Sequence, residues 1–156
     1  MSGEASAQVP AVPREHLMAI YRQARAEFPN ECCGFILGEG EQSEAVACAN
    51  VMDKYHRLDP EQFPRTAANG YKFDFKAARQ LDESFGGDKP ATIIYHSHPR
   101  VGAYFSEEDT KAAVATQWPV DYLVVDVQDN EIVEALLFRQ KGDRYEQIAR
   151  FDGAAV

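Results

Sequence analysis

Three residues of the 156-residue chain stand at a spacing that suits metal chemistry: His96, His98 and, eleven residues further on, Asp109. The run from Ala91 to His98 is rich in β-branched residues and reads as a strand. Residues two apart on a strand project from one face with Cα atoms about 6.5 Å apart, which lets two imidazoles share one cation. Pro99 turns the chain at once, and Asp109 falls in the first turn of the next helix, from where it can fold back as a third ligand. Two histidines and a carboxylate leave tetrahedral zinc with an open fourth position for water. Two plainer readings stand beside this one. His-x-His is also an ordinary pair of polar residues at a strand end, and Ser106-x-x-Asp109 ahead of a helix is the pattern of a capping box.

The balance shifts with the whole string His96-x-His98-x7-Ser106-x2-Asp109, taken together with Glu31 in Pro29-Asn30-Glu31-Cys32-Cys33-Gly34. On these residues the sequence resembles the JAMM (MPN-plus) metalloproteases, whose signature is a distant upstream Glu, then His-x-His-Pro, a seven-residue gap and Ser-x-x-Asp. The resemblance spans roughly residues 14–138. It implies one Zn2+ per chain held by His96, His98 and Asp109, with Glu31 as general acid/base and Ser106 as the side chain that stabilises the oxyanion. It also implies hydrolysis of amide or isopeptide bonds and a cytidine-deaminase-like JAB/MPN architecture. The compact length and the Glu-Cys-Cys-Gly run resemble the small prokaryotic branch, many of whose members act at or beyond the C-terminal Gly-Gly of ubiquitin-like sulfur-carrier proteins. The alternative in a different class is a non-catalytic MPN scaffold or interaction module in a larger complex.

Other reactive residues are weighed and set aside. Cys32 and Cys33 beside Glu31 raise a cysteine protease with His96 as base, but no Cys/His signature surrounds them, and small buried cysteines are common core residues. Cys48 reads as core too. His16 and His56 read as solvated, and Ser97, pointing to the opposite strand face from the histidines, reads as structural. A cupin site would need a Glu within a few residues of His-x-His and a further His, neither of which occurs. A DNA-repair relative of the same fold shares His-x-His-Pro, but the acidic balance here disfavours DNA.

The elements that must position these groups follow from periodicity. Leu17, Ile20, Tyr21, Ala24 and Phe28 recur at helical intervals behind Pro13, and Pro29-Asn30 ends that helix. Residues 32–37 and 44–51 read as strands, 52–70 as a long loop, 71–75 as a strand and 76–85 as a helix closed by Gly86-Gly87. After the strand 91–98 come a helix over 106–117 and strands over 121–127, 131–140 and 144–151. Their turns are too short for parallel crossovers, so the expected fold class is α+β, a mostly antiparallel or mixed β-sheet flanked by helices. Arg57 to Arg65 and Tyr71 to Asp74 are candidate grips for an extended substrate tail.

Composition bounds the partners. Sixteen Lys and Arg against 25 Asp and Glu give a net charge of −9, which repels phosphate backbones and anionic membranes. Neither nucleic acid nor membrane is expected as a partner; the expected partner is the tail of a ubiquitin-like sulfur carrier, and a homodimer is left open. Three cysteines, an odd number, suit a reducing compartment. With no secretory signal and no apolar run of membrane-spanning length, the expected localisation is cytoplasmic. Residues 1–12 are expected to be frayed, and 13–152 to form a single domain.

Overall fold

Leu17, Ile20, Tyr21 and Ala24 are the buried stripe of helix α1 (Arg14–Glu27), as the three- and four-residue spacing requires. The structure, a computed structural model, describes residues 12–156. The expected frayed stretch 1–12 lies outside the described residues except for Val12, which is buried against the α1 core. After α1 come β1 (Cys33–Leu37), a 3-10 turn at Gly40–Gln42, β2 (Glu44–Cys48), α2 (Met52–Leu58) and α3 (Phe75–Ser84). The second half holds β3 (Ala91–Pro99), α4 (Glu107–Thr116), β4 (Asp121–Gln128), β5 (Glu131–Lys141) and β6 (Arg144–Asp152).

The six strands form one sheet in the order β2-β1-β3-β4-β5-β6. Every neighbouring pair is antiparallel except β3 and β4, which run parallel because α4 carries the chain back between them. The hairpins at Asp129-Asn130 and Gly142-Asp143 place Asn130 and Gly142 at positive φ, the geometry tight turns demand. The fold is the expected mixed α+β sheet with helices on both faces.

Each face has its own core. On one side α1 packs Ile20 and Tyr21 against Ile36, Ile93, Tyr95, Leu123 and Leu137. On the other, Leu81 of α3 and Ala113 of α4 pack with Phe35, Ile94 and Tyr122. Gly34 permits close approach between the strands: a Cβ there would stand 2.3 Å from the Tyr95 hydroxyl and 2.4 Å from the Val46 carbonyl oxygen. That hydroxyl crosses to donate to Gln23 Oε1 of α1 at 2.5 Å. Among the described residues no helix is long and apolar enough to cross a membrane.

Two local expectations are corrected. The stretch 52–70 is not loop throughout, since α2 occupies its first seven residues; Pro60 and Pro64 lie beyond its end. The expected strand at 71–75 makes one isolated bridge, Asn50 with Phe73. Asp74 cuts it short by capping α3, accepting from the Ala77 amide at 2.7 Å, so Phe75 already belongs to the helix.

Candidate metal centre

Alternation along β3 sorts its residues between the two cores. Ile93 and Tyr95 join the α1 side and Ile94 the other, so His96 and His98 project beside α4 while Ser97 faces away. His96 Nε2 and His98 Nε2 are 3.1 Å apart, and each lies 3.2 Å from Asp109 Oδ2. Ligand atoms about 2.0–2.1 Å from a tetrahedral zinc are separated by about 3.3 Å, so this nearly equilateral triangle fits one face of such a site. The donor chemistry fits as well, with two imidazole nitrogens and one carboxylate oxygen. His98 Nδ1 donates to the Gly102 carbonyl at 3.0 Å, which turns its Nε2 lone pair toward the other two. Gly102 reaches that position at φ +90°, a conformation a side chain would oppose. The His96 ring stacks on Tyr71, with centroids 4.5 Å apart and planes 23° from parallel. Its Nδ1 is buried without a hydrogen-bond partner among the described residues.

The capping-box reading of Ser106-x-x-Asp109 holds, and it leaves the carboxylate beside the histidines. The Asp109 amide donates to Ser106 Oγ at 3.0 Å and the Ser106 amide donates to Asp109 Oδ2 at 3.1 Å, a complete capping box. The same Oδ2 is the oxygen in the triangle with the histidines. Ser106 Oγ accepts in the cap, so its own proton remains available to an acceptor outside the helix.

Glu31 is distant in sequence and close in space because β1 pairs with β3. Cys33 lies opposite His96 in the antiparallel register. One residue earlier the Cys32 amide donates to Ser97 Oγ at 2.8 Å, while the Ser97 amide donates to the Cys32 carbonyl at 3.2 Å. Continuing that register brings Glu31 opposite His98, and carboxylate and imidazole ligand atoms of Glu31, His96 and His98 lie within 4.8 Å of one another. The Glu31 backbone is fixed from the other side too: its amide donates to Ala67 O at 2.7 Å, and its carbonyl accepts from Asn50 Nδ2 at 2.9 Å. Asn50 also donates to Gly70 O and accepts from the Met52 and Lys72 amides, stitching three segments together.

Burial sets the electrostatics. Glu31, 5% exposed, has its pKa raised by desolvation, against the pull of His96 and His98. Burial opposes the charged form of His96, but Asp109 and Glu31 outweigh it and raise the pKa. Burial also works against the Asp109 carboxylate, yet His96 and His98 hold it well below the usual carboxylate range.

The remaining candidates fall elsewhere. Cys32 and Cys33 are fully buried in the cores on opposite faces of the sheet, and all three cysteines are free. Desolvation pushes the Cys32 and Cys48 thiols up to about 12 and raises that of Cys33 further, so none is a thiolate at neutral pH. Their burial argues against the cysteine-protease alternative. His16 and His56 stand apart from the triangle but are partly buried rather than solvated: His16 Nε2 meets Ser43 at 3.0 Å, and His56 Nδ1 lies 2.9 Å from the Phe63 carbonyl. Sequence reasoning missed Asn50 and the Tyr71 stack. Both act through contacts between segments far apart in the chain, which no local pattern signals.

The family model described as prokaryotic homologs of the JAB domain matches residues 13–138, and the chain belongs to that family. Two relatives named CysO-cysteine peptidase, from Mycobacterium tuberculosis and Mycobacterium bovis, are each 28% identical over 116 residues, covering 71% of this chain and 68% of theirs. Among solved structures, a Desulfitobacterium hafniense protein matches with a TM-score of 0.61 at 18% identity, covering 86% of both chains. A Salinibacter ruber protein matches with a TM-score of 0.54 at 15% identity, covering 90% of this chain and 89% of its own. These structural matches show the fold alone.

Proposed function

We propose that the protein is a zinc-dependent peptidase that hydrolyses an amide bond at or beyond the C-terminal Gly-Gly of a ubiquitin-like sulfur carrier. The observation that carries this is the triangle of His96, His98 and Asp109, with edges of 3.1, 3.2 and 3.2 Å, standing beside the buried Glu31. The relatives' name, CysO-cysteine peptidase, supports the carrier tail as the substrate class. His96, His98 and Asp109 would hold the cation, which when bound supplies a Lewis acid that polarises a carbonyl and acidifies water near neutral pH.

The chain's own groups then manage the protons. Glu31, desolvated and therefore a stronger base than a carboxylate in water, takes a proton from the attacking water as its oxygen bonds to the scissile carbon. It returns that proton to the departing nitrogen as the C–N bond breaks; the second proton of the water passes to the released amine, leaving a carboxylate and an ammonium group with no covalent enzyme intermediate. Ser106 Oγ–H, at the N-terminus of α4, faces developing negative charge with the helix dipole behind it.

The test is zinc analysis beside mass-spectrometric detection of residue release from an extended carrier. We expect near-stoichiometric zinc and zinc-dependent trimming. In Glu31→Gln we expect retained zinc with turnover reduced about 10²–10⁴-fold, the range lost with a positioned acid/base. Full turnover by Glu31→Gln overturns the assigned base, and a stable metal-free protein without turnover establishes the scaffold alternative.

A further inference from the structure

A cavity of about 350 Å³ opens beside Asp109 and extends to Arg65, with Tyr71, Phe73 and Trp118 among its walls. Arg65 and Lys72 are the cations in its lining, and among the described residues neither forms an ion pair. Lys72 is otherwise engaged, its Nζ lying 4.9 Å from the Tyr55 ring centroid and 5.7 Å from that of Phe63. Arg65 is held differently. Its Nη1 donates to the Asn69 carbonyl at 2.6 Å, and its stem lies across Gly70, where a Cβ would come within 3.1 Å of Arg65 Cβ and 3.3 Å of its Cδ. The arm is thus fixed while most of the five N–H donors stay available.

The loop that carries Arg65 is fastened to the proton-transfer residue. Glu31 N–H donates to Ala67 O, and Asn50 Nδ2 bridges the carbonyls of Glu31 and Gly70. Among the described residues Arg65 is, apart from the two histidines, the cation that favours the charged form of the Glu31 carboxyl against burial. A guanidinium preorganised in this way matches a carboxylate through two parallel hydrogen bonds.

We propose that Arg65 binds the α-carboxylate of the residue released from the substrate's C-terminus, with the adjoining cavity receiving that residue's side chain. The geometry of an amino acid motivates the placement. The nitrogen that accepts the proton from Glu31 and the α-carboxylate are attached to the same carbon, so a cation reading the carboxylate must stand on the Glu31 side of the site, as Arg65 does. The inference rests on the function proposed above and narrows it. The enzyme is a C-terminal trimmer that requires a free carboxylate next to the scissile bond. An isopeptide bond to a lysine side chain within a protein offers no carboxylate there.

The experiment compares two short peptides ending in Gly-Gly-Cys, one a free acid and the other its C-terminal amide. Cleavage is measured with wild type, and binding with Glu31→Gln, which reads recognition without turnover. We expect the acid to be preferred by about 10- to 100-fold in kcat/KM and in affinity, the range lost with one charge-assisted contact. Arg65→Ala should bring the acid-to-amide ratio close to one, Arg65→Lys should recover part of it, and Lys72→Met should keep it. Because both peptides are measured on the same variant, a general loss of folding cancels from the ratio. Equal treatment of acid and amide by wild type, or a ratio that survives Arg65→Ala, overturns the proposal. If no peptide is cleaved but the acid is bound preferentially through Arg65, the carboxylate site stands and the peptidase reading of the substrate falls. If neither peptide binds, the carboxylate site falls.

Discussion

The two faces of the sheet are built from the same strands and do different work. On the α1 face, β3 presents Ile93 and Tyr95 to a continuous apolar layer that also takes in Tyr21, Leu123 and Leu137. On the opposite face the same strand presents Ile94 to the core and then His96 and His98 to an aspartate and a glutamate. The contrast teaches that a strand buried on both sides can keep an apolar core and a cluster of ligand-type side chains apart by parity alone. Even and odd positions of one nine-residue element answer to different constraints. Ser97 is where the division is crossed. It lies on the structural face, yet its pair of hydrogen bonds with Cys32 sets the register that delivers Glu31 to the other.

That comparison can be broken in graded ways. The largest effect belongs to His98→Ala on the chemical face. Zinc should be lost on dialysis and turnover should fall by more than about 100-fold, exceeding the 10- to 100-fold typical of a partner outside the ligand set, while the thermal midpoint of the metal-free proteins stays similar. Zinc analysis and calorimetry read both quantities. Next comes Leu123→Ala on the α1 face, which empties a fully buried site and should cost about 2–5 kcal/mol in denaturant unfolding, with turnover per folded molecule kept. Should that variant stay folded yet lose turnover, the two faces are not separable.

Ser97→Ala sharpens the boundary. It leaves the Cys32 amide without its buried acceptor at a cost of about 1–3 kcal/mol, and, unlike Leu123→Ala, it should lower kcat by releasing Glu31 while zinc content holds. The smallest effect concerns the thiols. Held protonated by burial, Cys32 and Cys33 should resist iodoacetamide in the native protein at neutral pH, and turnover should be unchanged by the treatment. Rapid alkylation with loss of activity would return the thiols to the reaction.

The sequence made the helices and most strands legible because their signals are local: a helical stripe in α1, a β-branched run in β3, glycine or asparagine in the hairpin turns. His96, His98, Ser106 and Asp109 were legible for the same reason, lying within fourteen residues of one another on two consecutive elements. Glu31 was legible as a candidate only through the family resemblance, since its approach to the histidines depends on strand pairing across a gap of 65 residues. The parallel pairing of β3 with β4, the helix at Met52–Leu58 and the short bridge at Phe73 were hidden. Each is decided by a contact made elsewhere, the last by the capping role of Asp74.

Asn50 makes three segments depend on the identity of two atoms. Its amide nitrogen faces the carbonyls of Glu31 and Gly70, and its oxygen faces the amides of Met52 and Lys72, so all of these contacts depend on which end of one primary amide is nitrogen. Aspartate in its place would have nearly the same shape, but it would set an acceptor against two carbonyl oxygens and add a negative charge. One atom exchanged for another at this side chain would loosen the seat of Glu31 and the Arg65 loop together, without any break in the chain.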